Sequence, residues 1–190
     1  GYFNVGLGSD ALSTNVALRG STAIGTAAMK YANNTSTGGE SYNTAVGAFA
    51  LQGSVTAANN TGVQNTAVGH SSLTVNTSGT ANVALGQNSM LTNTVGSYNT
   101  ALGIGALSSN VAKNGSTAIG YQAMLYADST TTAGQYPNNT AVGNSALRGS
   151  TTASANTGTN NLAFGSQALL ENTSGSNNAA LGVFSLMANT

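Results

Sequence analysis

The sequence predicts an all-β fold, a parallel β-solenoid, on three observations. A nine-residue phrase recurs ten times, its fifth position is glycine in every copy, and the composition cannot build an ordinary globular core. Only 4% of the 190 residues are charged, against about 25% in a typical soluble domain. There are 25 glycines, no cysteine and no tryptophan, and Asn, Ser, Thr and Ala supply much of the rest. Such a composition favours disorder unless a repeat lets many copies share one core.

The phrase is clearest in Asn43-Thr-Ala-Val-Gly-Ala-Phe-Ala-Leu51, Asn65-Thr-Ala-Val-Gly-His-Ser-Ser-Leu73 and Asn139-Thr-Ala-Val-Gly-Asn-Ser-Ala-Leu147. The other copies begin at Asn4, Ser21, Asn82, Asn99, Ser116, Asn161 and Asn178. Position three is Ala except at Gly6, position eight is Ala or Ser, and position nine is Leu or Met. Position four is always apolar: Leu7, Ile24, Val46, Val68, Leu85, Leu102, Ile119, Val142, Phe164 and Leu181. Position five is the glycine column Gly8, Gly25, Gly47, Gly69, Gly86, Gly103, Gly120, Gly143, Gly165 and Gly182, read as structural.

In an extended segment, positions two and four face one way and one, three and five the other. Position four is large and apolar, so it is expected to line the core, with the small Ala packing on the opposite side. The glycine allows a positive φ or a close approach by a neighbouring backbone. Each coil is too thin to bury its own apolar residues, so coils must stack. Helix is disfavoured by the frequent Gly and Asn, although Gly-x-x-Ala-Leu could hold a short helical turn. Pro137 is placed in a connector, where it costs no ladder bond.

Successive column glycines lie 17, 22, 22, 17, 17, 17, 23, 22 and 17 residues apart, which gives ten coils of 17–23 residues. The extra residues, around 32–42, 54–64, 127–138 and 150–160, are rich in Ser, Thr, Asn and Gly and read as surface loops. The series also holds a 95-residue super-repeat, from Gly8 to Gly103. Gly20-Ser-Thr-Ala-Ile-Gly25 matches Gly115-Ser-Thr-Ala-Ile-Gly120, and Tyr31-Ala32 matches Tyr126-Ala127. The chain is therefore read as one repeat domain, 1–190, made of super-repeats of about 1–98 and 99–190. The chain starts at Gly1, and joining Thr190 to Gly1 nearly restores the interior sequence Asn93–Asn99. The natural protein is expected to carry further such units, and a full-length gene without them would refute this.

The Asn column (Asn4, Asn43, Asn65, Asn82, Asn99, Asn139, Asn161, Asn178) is expected to form a hydrogen-bond ladder along the stack rather than a binding face. Phe3, Tyr42 and Tyr98 precede the phrase, and Tyr31 and Tyr126 are paired across the halves; all are expected to pack under the inserted loops.

No residue set points to catalysis, a cofactor or a metal. His70 is the only histidine and stands at a variable, solvent-facing position without ligand partners. Asp10, Glu40, Asp128 and Glu171 are scattered, match no calcium loop and form no facing carboxylate pair. They read as solvated surface charges, as do Arg19, Lys30, Lys113 and Arg148. There is no Gly-x-Ser-x-Gly elbow supported by a His and an acid, and no phosphate-binding loop. Zero net charge gives nucleic acid no electrostatic hold, and no apolar run could span a membrane. Asn-x-Ser/Thr sequons make Asn33, Asn34, Asn59, Asn76, Asn114, Asn138 and Asn172 candidate glycan acceptors, weakly, because this composition yields sequons by chance.

The phrase Asn-Thr-Ala-Val-Gly-x-x-Ala-Leu resembles the head repeats of trimeric autotransporter adhesins of the YadA type, and related repeats of phage tail fibres. The resemblance covers essentially the whole chain. It implies a left-handed parallel β-roll, a homotrimer, and a place outside the cell or virion. The expected function is thus a non-catalytic structural or adhesive extracellular fibre segment at a cell surface. Its partners would be its own copies, as a homotrimer or an end-to-end filament, and a host or matrix surface. The alternatives are a phage tail-fibre shaft and an ice- or carbohydrate-binding solenoid. Against ice binding, the position-two threonines are interrupted by Val5, Val83, Leu162 and Ala179, and no strand carries Thr-x-Thr.

Overall fold

The computed structural model describes residues 3–15, 18–32, 39–56, 59–131 and 135–189. Every copy of the phrase forms a three-residue strand at its positions two to four. The first four strands of the chain are β1 (Val5–Leu7), β2 (Leu18–Arg19), β3 (Thr22–Ile24) and β4 (Gly39–Glu40). There follow β5 (Thr44–Val46), β6 (Thr66–Val68), β7 (Val83–Leu85) and β8 (Thr100–Leu102). The last four are β9 (Thr117–Ile119), β10 (Thr140–Val142), β11 (Leu162–Phe164) and β12 (Ala179–Leu181). Ten of them build one all-parallel sheet in the order β1-β3-β5-β6-β7-β8-β9-β10-β11-β12. The pairing keeps the phrase in phase, Ala67 opposite Ala84 and Ala84 opposite Ala101. β2 and β4 form a separate parallel pair. The fold is the expected all-β parallel solenoid, one coil per phrase.

The interior is not the one expected. The alternation of faces is as expected, but the inward face carries positions one and three. The position-three alanines from Ala23 to Ala163 are fully buried, and so are the position-nine residues Met29, Leu73, Met90, Leu107, Met124 and Leu169. A Cβ added at Gly6, in position three, would lie 3.5 Å from Leu12 Cδ1 of position nine, so the two walls of a coil touch across one small and one large side chain. Position four points outward: Ile24, Leu85, Leu102, Phe164 and Leu181 are exposed, and Val46, Val68, Ile119 and Val142 half-buried. The lumen is too narrow for two large residues, and the Leu or Met of position nine already fills it. Phe3, Tyr42 and Tyr98, expected beneath the loops, are likewise exposed, while Tyr31 and Tyr126 are half-buried.

The second wall is no helical turn. Positions seven and nine have positive φ in all ten copies, as at Asn88 (57°) and Met90 (49°). Each non-glycine residue held there costs roughly 1–2 kcal/mol. Inter-coil hydrogen bonds offset that cost, because the alternation sends N–H groups both ways along the axis. The Asn88 N–H donates to the preceding coil at His70 O (3.0 Å), and the Met90 N–H to the following coil at Ala106 O (3.0 Å).

The glycine column is doubly constrained. Gly86 has φ +131°, and a Cβ there would lie 2.6 Å from the Gly103 carbonyl group of the next coil. Gly182 has φ +118° but nothing within 4 Å of the same position. Gly86→Ala should therefore suffer both conformational strain and a backbone clash, costing about 3 kcal/mol or more, whereas Gly182→Ala should suffer the strain alone, about 1–2 kcal/mol. At about 2–4 °C per kcal/mol for a chain of this size, thermal melts followed by circular dichroism should separate the two variants by several degrees. Equal melting temperatures would remove the close-approach argument.

Candidate functional site

Two polar columns run through the stack. In the first, the phrase-opening asparagines from Asn43 to Asn161 are buried, and each accepts the N–H that opens the next phrase and donates to the carbonyl three residues before it. Asn65 Oδ1 accepts the Asn82 N–H (3.0 Å) while Asn65 Nδ2 donates to Gly79 O (2.8 Å). Asn82 repeats this with the Asn99 N–H (3.0 Å) and Gly96 O (2.8 Å). Asn139 does so with the Asn161 N–H (2.9 Å) and Gly158 O (3.0 Å). The column is a ladder, mainly side chain to backbone, with side-chain rungs where Asn82 Nδ2 donates to Asn65 Oδ1 (3.1 Å) and Asn178 Nδ2 to Asn161 Oδ1 (3.1 Å).

The second column was not anticipated from sequence. Asn76, Asn93 and Asn110 stand three residues after the position-nine Leu or Met and are buried. Their amides bond side chain to side chain, Asn93 Nδ2 to Asn76 Oδ1 (2.9 Å) and Asn110 Nδ2 to Asn93 Oδ1 (3.0 Å). A signal was present: Asn76-Thr-Ser-Gly79 and Asn93-Thr-Val-Gly96 share a spacing in which the glycine leaves room for the amide, since a Cβ at Gly79 would lie 2.3 Å from Asn76 Oδ1. In the long coils Asn60 and Asn156 pin the loops instead. Asn60 Nδ2 donates to Tyr31 O (2.7 Å), and its counterpart Asn156 to Tyr126 O (2.8 Å).

The sequon asparagines divide. Asn76, Asn114 and Asn172 are buried, and their side chains bond Gly79 O, the Ser97 N–H and Gly175 O. A glycan there would break the packing of the folded coil. Asn59 and Asn138 are exposed, and Asn33 and Asn34 lie outside the described residues.

His70 is exposed, edge-on to the Phe49 ring at 5.9 Å. Asp10 and Lys30 form a surface ion pair of 2.9 Å, and Glu40 accepts a bond from the Tyr42 hydroxyl. Arg19 and Glu171 are exposed and Arg148 half-buried, with its Nε lacking a hydrogen-bond partner. Among the described residues no His, Cys, Asp and Glu side chains gather into a metal set of three, and no helix is long and apolar enough to cross a membrane.

Two charged residues correct the surface reading. Lys113 is 6% exposed and Asp128 2% exposed. Both line a cavity of about 810 Å³ at the second pair of long coils. Asp128 accepts bonds from the Ser116 hydroxyl and from Asn139 Nδ2 (3.3 Å), and the Lys113 ammonium donates to Gln135 Oε1. Burial raises the Asp128 pKa above the ordinary carboxylate value, against the lowering effect of those bonds and of the Lys113 charge. Burial likewise lowers the pKa of Lys113. Pro137 contributes by what it lacks. Its counterpart Ser41 donates its N–H to Arg19 O (2.9 Å), a bond proline cannot make, and residues 113–114 and 135–136 form no strand pair like β2 and β4. The proline therefore does cost a ladder bond.

Comparison with family models, with characterised proteins and with solved structures finds no match. The geometry itself has to carry the functional reading.

A carboxyl whose folded pKa is raised binds its proton more tightly in the folded state. Its contribution to stability is full below the unfolded pKa and is lost as pH rises through the folded pKa. Asp128→Asn, which restores the residue type of its counterpart Asn33, should abolish that decline and melt higher than the parent at neutral pH. Melting curves from pH 3 upward check this, and an unchanged pH slope in the variant would place the charge elsewhere.

Proposed function

We propose that this chain is a non-catalytic, structural or adhesive segment of an extracellular fibre, and that copies of it associate through the outer face of the ten-stranded sheet. The observation that carries the reading is the outward turn of position four. It leaves an unbroken apolar line along the sheet, from Leu7 and Ile24 through Leu85 and Leu102 to Phe164 and Leu181. Val5, Val83 and Leu162 widen it from position two. Contiguous apolar surface of this kind marks an interaction face, and a straight repeating face suits a second solenoid of the same repeat. The resemblance to adhesin head repeats supports three copies and a place outside the cell, and packing these faces inward would cover the apolar line.

A second reading has one observation in its favour. Thr100, Thr117 and Thr140 stand side by side on adjacent strands of the same outer face, as a regular hydroxyl row beside apolar side chains. Such a row suits an ordered water or sugar lattice. Thermal hysteresis in a solution of the monomer would favour that reading over the fibre.

The fibre reading predicts a trimer in sedimentation equilibrium. Leu85→Glu with Leu102→Glu should dissociate it to monomers while the coil survives, since both side chains point out of the lumen. A parent chain that sediments as a monomer at every concentration would end the proposal. So would a double variant that stays trimeric.

A further inference from the structure

The cavity at the second pair of long coils stands outside the fibre reading, because neither the sheet face nor the stacking of coils uses it. Three observations single it out.

The first is where the charge goes. The chain has only four acidic and four basic residues, yet Lys113 and Asp128 are both buried at this one cavity. No ion pair within 4.0 Å joins them. Burying two charges without close pairing is destabilising, and groups held in that state concentrate at working sites.

The second is how the two halves differ. They match closely along the coils, but the matched positions diverge around this cavity, mostly towards charged, hydrogen-bonding or aromatic groups, with Ser41 to Pro137 running the other way. Leu18 corresponds to Lys113, Asn33 to Asp128, Gly39 to Gln135, Glu40 to Tyr136 and Val63 to Thr159. Repeat packing alone demands none of these changes.

The third is unfilled bonding capacity. Thr130 lines the cavity, and its buried hydroxyl oxygen has no hydrogen-bond partner. Asp128 accepts one bond on each carboxylate oxygen, where each can accept two.

We propose that this cavity is a saccharide-binding site, in which Lys113, Asp128, Gln135 and Thr130 hydrogen-bond the hydroxyls of a pyranose and the Tyr136 ring covers its apolar face. The chemistry favours a sugar over an apolar ligand. Most lining residues carry a hydroxyl, an amide or a charge set among apolar wall atoms, with a single aromatic ring, which is more than half exposed at 55% and stands beside the rigid Pro137. Vicinal hydroxyls both donate and accept, so they can meet an ammonium, a carboxylate and an unpaired threonine together. An aromatic ring with a polar tip meets the C–H face of a pyranose at low entropic cost. The volume, about 810 Å³, lies within the range of small-molecule sites. The Ser116 and Asn139 bonds hold the Asp128 carboxylate in place in advance.

The test is saturation-transfer NMR on the full 190-residue chain with glucose, galactose, N-acetylglucosamine and glucuronic acid. At least one sugar should receive saturation. Gln135→Ala and Tyr136→Ala, both at exposed positions, should weaken it at least tenfold, and Tyr136→Ala should do so without moving the melting temperature. Lys113→Ala should weaken glucuronic acid more than the neutral sugars if the ammonium meets a ligand carboxylate, and all of them alike if it meets hydroxyls; either result supports the site. No transfer to any of the four sugars would overturn the proposal. So would transfer that survives unchanged in the Gln135→Ala, Tyr136→Ala double variant. Neither result touches the oligomer measurement on which the fibre reading depends.

Discussion

An asparagine inside a protein must find partners for two donors and an acceptor, and in a coil of 17 residues the lumen offers almost none. Here the partners come from the next coil. Asn82 accepts the Asn99 N–H one turn along the axis and donates to Gly96 O, three residues before it. A coil standing alone would hold its asparagines unsatisfied in an apolar lumen, at about 1–3 kcal/mol for each lost group. Stacked, the same groups become the specification of register, because a slip of one residue would leave every amide facing the wrong atom. The parallel sheet, the glycine column and the second asparagine column all presuppose that alignment.

The lumen's narrowness sets the rest. A coil that closes around one alanine and one leucine must turn sharply, and it does so with positive φ at positions five, seven and nine. The glycine of position five lets successive backbones approach to where a Cβ would sit 2.6 Å from the next carbonyl. With the interior full, the second large apolar residue of each phrase can only go outside. The exposed line on the sheet is thus a consequence of the coil's cross-section as well as the basis for association.

Much of this was legible in the residues. The ten phrases located the ten strands, their order and the in-phase pairing, and the Asn column's role as a ladder followed from one amide recurring at the same place in eight stacked coils. The inside and the outside were assigned the wrong way round at positions three and four. Alternation defines two faces but does not say which is inner, and size was a poor guide because Leu and Met of position nine had already claimed the space. The positive φ at Met90 or Leu107 has no compositional mark, as both are ordinary helix or strand residues. Lys113 and Asp128 looked like surface charges because sequence carries no measure of burial in a loop. Their departure from Leu18 and Asn33 in the other half was the visible clue.

The central claim is that each coil is held by side-chain amides of its neighbour. Hydrogen exchange read at single amides by NMR tests it most directly. In the parent chain the Asn99 N–H, which donates to Asn82 Oδ1, should exchange as slowly as the strand amides around it. In Asn82→Ala that N–H should lose its protection, while the Asn65–Asn82 rung on the other side, where Asn65 Oδ1 still accepts the residue-82 N–H, keeps its own. Unchanged exchange at Asn99 in the variant would mean that the ladder does not hold the stack.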